Sequence, residues 1–366
     1  MNRSKWTSFF IFLALWLVFL AQPEVAPASA WDELVAKAKG EGKLVVSTSH
    51  SPATRGVISK GFKEAFGIEM EFIAGTGGTR VRKLLSERQA AIYAQDIFMG
   101  GTTSILTRLK PAGALDPIEP AMMLPGVLDK KLWIGGDYFW ADRDRTVLVF
   151  MLMAGPGQSS IYNSTMVKPG EIKVYDDLLD PKWKGKILMF DPTKPGPGQR
   201  FVGVTAEKIK GWDYMEKLAK QDLTIATDRR LAVEWVTRGK YAIGLGNQTG
   251  LPLEYIKAGA PILEFLPDDD IATSGGPNNL ALINRAPHPA AAKVFVNWLL
   301  DKQGQTILSE STAMASVKTD VATDHISPVR RLDPGKKYFL VDHEDYILKE
   351  PEYLKKTKKI FGPLLK

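Results

Sequence analysis

Short apolar runs that each give way to an amphipathic helical stretch recur through this chain, and that order restricts its fold more than any other feature. A repeat of strand then helix builds a mainly parallel sheet covered on both faces by helices. Residues 44–46 read as a buried strand, followed by the polar turn Ser47, Thr48, Ser49, His50 and Ser51. A helix follows Pro52, with Val57, Ile58, Phe62 and Phe66 at helical spacing. Gly67 ends it, residues 68–73 form the next strand, and the turn from Gly75 to Thr79 leads into a helix whose apolar face is Val81, Leu84 and Leu85. A third strand at 96–99 stops at Gly100, Gly101, Thr102 and Thr103.

The apolar segment 146–154 is long enough to cross into a second block of the same kind. There a strand at 187–190 enters the loop 191–200, in which Pro197 and Gly198 suit a helix entry. Leu231, Glu234 and Trp235 lie on a helix that stops near Gly239, and residues 241–245 return as a strand ending in Gly246, Asn247, Gln248 and Thr249. Gly275, Gly276, Pro277, Asn278 and Asn279 precede a strand at 280–283, and a helix from about Pro289 buries Val294, Phe295, Trp298 and Leu299. Past residue 320 the chain is polar and charged with spaced aromatics, which reads as a helical C-terminal segment, 306–366, docking on the rest without chemistry of its own.

Residues 1–30 read as an export signal. Arg3 and Lys5 precede an apolar run at 9–21, and Ala28, Ser29 and Ala30 supply a small-residue cleavage site. The run is short of the roughly 20 residues that a spanning helix needs, so cleavage is expected over anchoring, with Trp31 beginning the mature chain. What remains of the 366 residues exceeds what one core usually holds, so two domains are expected. The chain has no cysteine, which removes disulfides, a catalytic thiol, thiolate ligands and a lipid anchor at the cleavage site. A freely diffusing monomer in a Gram-negative periplasm is therefore expected. The formal charge of +7 is spread along the chain, and the run Lys355, Lys356, Lys358 and Lys359 reads as a solvated helix face, so no nucleic-acid partner is expected.

In open parallel sheets ligands bind outside the carboxyl ends of the strands, where turns carry helix N-termini. Free backbone N–H groups and the helix dipole favour anions there, and glycine lets a ligand approach the backbone. The candidate solute contacts are Ser49, His50, Gly77, Gly78, Thr102 and Thr103 from the first block and Gly198, Gln199, Arg200, Asn247, Gln248 and Thr249 from the second. Each turn taken alone is equally explained by tight-turn chemistry. Arg200 is open to two readings, a bidentate contact to a carboxylate or phosphate, or a surface arginine paired with a local acid.

Residues 288–300, from His288 and Pro289 through Phe295 and Trp298 to Leu300, with Lys302, Gln303, Gly304 and Gln305, resemble the late helix of the extracellular solute-binding proteins of bacterial ABC importers. Residues 176–186, with Asp180, Pro181, Trp183 and Gly185, resemble that family's entry into its second lobe, and residues 239–244 give a weaker third match. The resemblance implies an α/β fold of two lobes joined by crossing strands, each lobe a mainly parallel sheet flanked by helices, with a solute cleft at the hinge. It places lobe one at 31–145 with 270–305, and lobe two at 146–269. The ferric-ion branch looks nearest. Its members bind iron through a histidine after the first strand, a glutamate after the third and a tyrosine pair in the second lobe. Here only His50 matches. The other places fall near Gly101 and near Gln248 and Thr249, which offer no anionic oxygen for a hard ferric ion, so no metal and no cofactor are expected.

The function these readings favour is the substrate-binding component of an ABC importer, closing on a phosphonate, organophosphate, carboxylate or similar anion and passing it to an inner-membrane permease. A ligand-sensing adaptor is an alternative. A hydrolase on the same scaffold is weaker, because no His-Glu-x-x-His or Gly-x-Ser-x-Gly motif is present and His50 alone stands at a candidate cleft.

Overall fold

Lys43–Thr48 (β1) is apolar enough to be buried on both faces, and it sits inside a sheet between Glu69–Ala74 (β2) and Ile97–Gly100 (β3), parallel to both. The computed structural model describes residues 29–147, 149–150, 152–153, 160–247 and 251–365. The first sheet runs β2-β1-β3-β13-β4, where Leu115–Asp116 is β4 and Asn279–Ile283 is β13, and Val149–Phe150 (β5) also pairs with β13. Helices Ala30–Glu41 (α1), Pro52–Phe66 (α2) and Gly77–Gln89 (α3) pack around it with the short Thr102–Ser104 (α4) and Pro125–Leu128 (α5). Pro289–Leu300 (α10) and Lys302–Thr312 (α11) complete this half. Phe62 anchors its core, with ring centroids 5.2 Å from Phe66, 5.2 Å from Phe295 and 5.4 Å from Trp298.

The second sheet runs β11-β7-β10-β8-β9, with Ser160–Asn163 as β7, Ile187–Phe190 as β8, Thr224–Ala226 as β9, Ile243–Leu245 as β10 and Ile262–Phe265 as β11. Its helices are Pro197–Val204 (α6), Trp212–Ala219 (α7), Arg229–Thr237 (α8) and Leu251–Lys257 (α9). Its core gathers Tyr175, Leu178, Met189, Phe201, Met215 and Leu245. The two sheets thus own separate cores, the two lobes of the molecule.

Several expectations are corrected. Both sheets are more mixed than the strand–helix repeat implies, because β13 arrives from the other lobe and enters antiparallel to β3, while β7 lies antiparallel to β10. The strand expected at 241–245 is only Ile243–Leu245, since Tyr241 turns aside to stack on Trp235. Val57 and Leu231, read as helix faces, are 42% and 37% exposed. Of the segment 146–154, β5 joins the first sheet and Leu152–Met153 (β6) pairs with Ala315–Ser316 (β14). Residues 148, 151 and 154 lie outside the described residues, as do residues 1–28 of the export signal expected at 1–30.

The end of the chain is more than a docked helix. Phe339–Leu340 (β15) pairs with Ala272–Thr273 (β12) in the crossover from β11 to β13, and Glu344–Ile347 (α12) and Glu350–Phe361 (α13) follow. Asp270, at the start of that crossover, is buried, accepting hydrogen bonds from the Tyr175 hydroxyl at 2.5 Å and the Ala272 amide at 2.7 Å. Burial outweighs these bonds and pushes its carboxyl up to about 6. The native state therefore binds more protons than the unfolded chain between about pH 4 and 6, so stability falls as pH rises through that window, by about 3 kcal/mol in all. Asp270→Asn should remove that slope, and urea unfolding of the variant between pH 4 and 7 that kept the wild-type slope would reject the assignment.

Candidate functional site

Because β1, β2 and β3 are parallel, the turns that leave their carboxyl ends share one edge of the first sheet. Ser51 caps α2, accepting a bond from the Thr54 amide at 3.1 Å, and Thr76 caps α3, accepting from the Thr79 amide at 3.3 Å. The second and third turns touch: a Cβ on Gly77 would stand 2.8 Å from Ser104 Oγ, so glycine lets α3 begin against α4 without moving that hydroxyl. Ser49, Gly78 and Thr103 are exposed on this edge, Gly77 is half-buried, and Thr102 is buried with its hydroxyl unpartnered among the described residues.

His50 is 5% exposed and fully engaged. Its Nε2 lies 2.7 Å from Asn278 Oδ1 and its Nδ1 2.6 Å from Thr48 Oγ1. Asn278 directs its amide nitrogen at Gly275 O, so its oxygen accepts, Nε2 carries the proton and Nδ1 accepts from Thr48. Both ring nitrogens are thereby occupied, and burial lowers the ring pKa, with nearby Arg80 and Arg55 acting in the same direction. His50 therefore ties the first turn to the 274–279 turn before β13.

The residue that sequence reading missed is Arg80. Only 2% exposed, it donates from Nε to Gly75 O at 3.1 Å and from Nη1 to Met99 O at 3.1 Å and Ser47 Oγ at 3.3 Å, with its guanidinium 4.4 Å from the Phe98 ring centroid. All its acceptors are neutral. No described carboxylate lies within ion-pair distance, and Nη2 has no partner among the described residues. Burial pushes the guanidinium down to about 10, so it stays charged at neutral pH. A signal was present, since Arg80 shares the inward face of α3 with the buried Val81 and Leu84. An uncompensated buried charge there is costly unless something else benefits from it.

On the second sheet the parallel strands β8, β9 and β10 likewise bring their turns to one edge. Gly198 opens α6 against the end of β8, where a Cβ would stand 2.0 Å from Phe190 O, and its Cα lies 2.9 Å from where a Cβ on Gly246 would stand. These glycines serve close backbone packing. Gln199 is buried with its amide nitrogen turned along α6 towards Gly203. Asn247 is buried and donates to Gly244 O at 3.1 Å. Arg200 is paired, but not as a surface arginine with a local acid: half-buried, it meets Asp342 at 3.2 Å and Glu350 at 3.8 Å from the C-terminal segment. Gln248 and Thr249 lie outside the described residues.

A family model for bacterial extracellular solute-binding proteins matches residues 58–329. The chain belongs to that family. As the segments around His288 and Asp176 implied, it is the solute-binding component of a bacterial ABC importer, built as two lobes. It is 26% identical over 171 residues to a Salmonella typhimurium protein assigned by name to 2-aminoethylphosphonate binding, which spans 44% of this chain and 50% of that one. Among solved structures it resembles Trichodesmium FutA in complex with iron and citrate (TM-score 0.65, 19% identity, 87% of this chain and 99% of that one). It also resembles AfuA of Actinobacillus pleuropneumoniae with fructose-6-phosphate bound (TM-score 0.58, 18% identity, 88% and 99%).

The tautomer assigned to His50 makes a direct prediction for this solute-binding protein. Nitrogen-15 NMR should find a neutral ring protonated at Nε2 that titrates below the roughly 6.5 of a free histidine. A ring that charges above that value would contradict the geometry.

Proposed function

We propose that this protein captures a small anionic solute, a phosphonate, organophosphate or carboxylate, in the cleft between its lobes in a Gram-negative periplasm and delivers it to an inner-membrane permease. The observation that carries the reading is Arg80, a buried guanidinium with only neutral partners among the described residues, at the edge where α2, α3 and α4 begin. Its field and those of Arg55 and the helix N-termini add in one direction, and a solute anion is the natural counter-charge. The named ligands 2-aminoethylphosphonate, citrate and fructose-6-phosphate, each belonging to a relative or structural neighbour, all carry oxyanion groups.

In this reading Ser49, Gly77, Gly78, Thr102 and Thr103 face the anion directly, Arg80 sets the potential beneath them, and His50 fixes the turn. Gly198, Gln199, Asn247, Gln248 and Thr249 form the opposing wall, and Arg200 is withdrawn from the contact set because Asp342 and Glu350 hold its charge. Lobe one takes residues 31–145 and 270–305, lobe two 146–269, and the remainder returns over both. The solute favours the closed form because it touches both lobes.

A thermal-shift series with methylphosphonate, inorganic phosphate, citrate and glucose tests the class. An anion at about 100 times its Kd should add roughly 2.7 kcal/mol of stability, with no shift from glucose and no product released on prolonged incubation. Arg80→Gln should weaken the best anion at least about tenfold, roughly 1.4 kcal/mol. Unchanged affinity by calorimetry would remove Arg80 from the site, and turnover would favour the hydrolase reading.

A further inference from the structure

The C-terminal segment reaches both lobes. Ile347 belongs to the core of the first lobe, where α12 also packs on α4, and Lys110 holds Glu344 at 2.7 Å while the Arg143 amide donates to the same carboxylate at 2.8 Å. Phe361 belongs to the core of the second lobe, where α13 packs on α6 and α7. Beside these anchors Val341, Tyr346 and Tyr353 form a small apolar cluster with Val204 of α6 and Ala272 of the crossover. Gly203 makes room for it, since a Cβ there would stand 2.7 Å from the Tyr346 hydroxyl.

Asp342 stands at the start of this strap, beside Val341, and is 2% exposed. One carboxylate oxygen accepts from the Ser274 hydroxyl and from the Gly275 amide, the latter at 3.0 Å, and the other pairs with Arg200 of α6 at 3.2 Å. The turn it holds is the one His50 reaches. Asn278, bonded to His50, donates to Gly275 O at 3.1 Å, so a continuous polar path runs from the first turn of lobe one through the 274–279 turn and Asp342 to α6 of lobe two. The two ends of that path are helix-entry segments of the two lobes, the turn at His50 and the start of α6.

We propose that Asp342 is a positioning residue, a tie from the C-terminal strap that fixes how far α6 stands from the 274–279 turn and so sets the resting angle between the lobes. The pairing with Asp342 keeps Arg200 firmly charged. A buried carboxylate that accepts two hydrogen bonds from one lobe's turn and an ion pair from the other resists separation of the two more than apolar packing does, because parting them leaves charge buried without a partner. The proposal rests on the two-lobed fold and not on the identity of the solute.

The absence of native cysteine allows a clean test, with spin labels on Lys60→Cys of α2 and Lys217→Cys of α7, both exposed, in the full chain without added solute. Pulsed EPR should give a narrow interlobe distance distribution for the otherwise native protein. Asp342→Asn and, separately, Arg200→Met should each broaden it about twofold or shift its maximum, with near-UV circular dichroism retained. Arg200→Met leaves Asp342 bonded to Ser274 and Gly275, so it decides the matter if Asp342→Asn does not fold. Variants that only melt earlier, with the wild-type distribution unchanged, would reduce Asp342 to a packing anchor and overturn the proposal.

Discussion

A parallel strand followed by a covering helix must send the chain back across the sheet, so every such unit leaves its strand and enters its helix at the same edge. That constraint places the turns after β1, β2 and β3 together, and those after β8, β9 and β10 together on the second sheet. The frame of the molecule follows from it, two edges lined with helix entries and carried on separate cores.

Within that frame the electrostatics of the first lobe are one-sided. Arg80 spends its hydrogen bonds on the carbonyls of Gly75 and Met99 and the hydroxyl of Ser47, which stitches the ends of the three strands together without neutralising the charge. His50 is held neutral by burial, with Arg80 and Arg55 acting in the same direction, and its two hydrogen bonds contribute shape and linkage. The arginine that looked most available, Arg200, is the one whose charge is already matched. Which cation is free to act on a solute is thus decided by acids distant in sequence.

The returning C-terminal segment changes how the lobes relate. With Ile347 in one core and Phe361 in the other, a short stretch of chain runs from one lobe to the other beside α4 and α6. Asp342, just before that stretch, bonds to Ser274 and Gly275 and pairs with Arg200 of α6.

Much of this was legible in the sequence, because periodicity and turn chemistry are local. The helices at Pro52–Phe66, Gly77–Gln89 and Pro289–Leu300, the strand Ile187–Phe190 and the turns between them follow from apolar spacing, caps and glycines within a few residues of one another. The family-like segments around Asp176 and His288 carried the two-lobed fold further than spacing could. What lay beyond it were pairings between residues far apart in the chain: Arg80 with Met99, His50 with Asn278, Arg200 with Asp342. Whether a charged side chain faces solvent, a solute or an internal acid depends on what the fold brings within about 4 Å of it, and only the tertiary structure decides that.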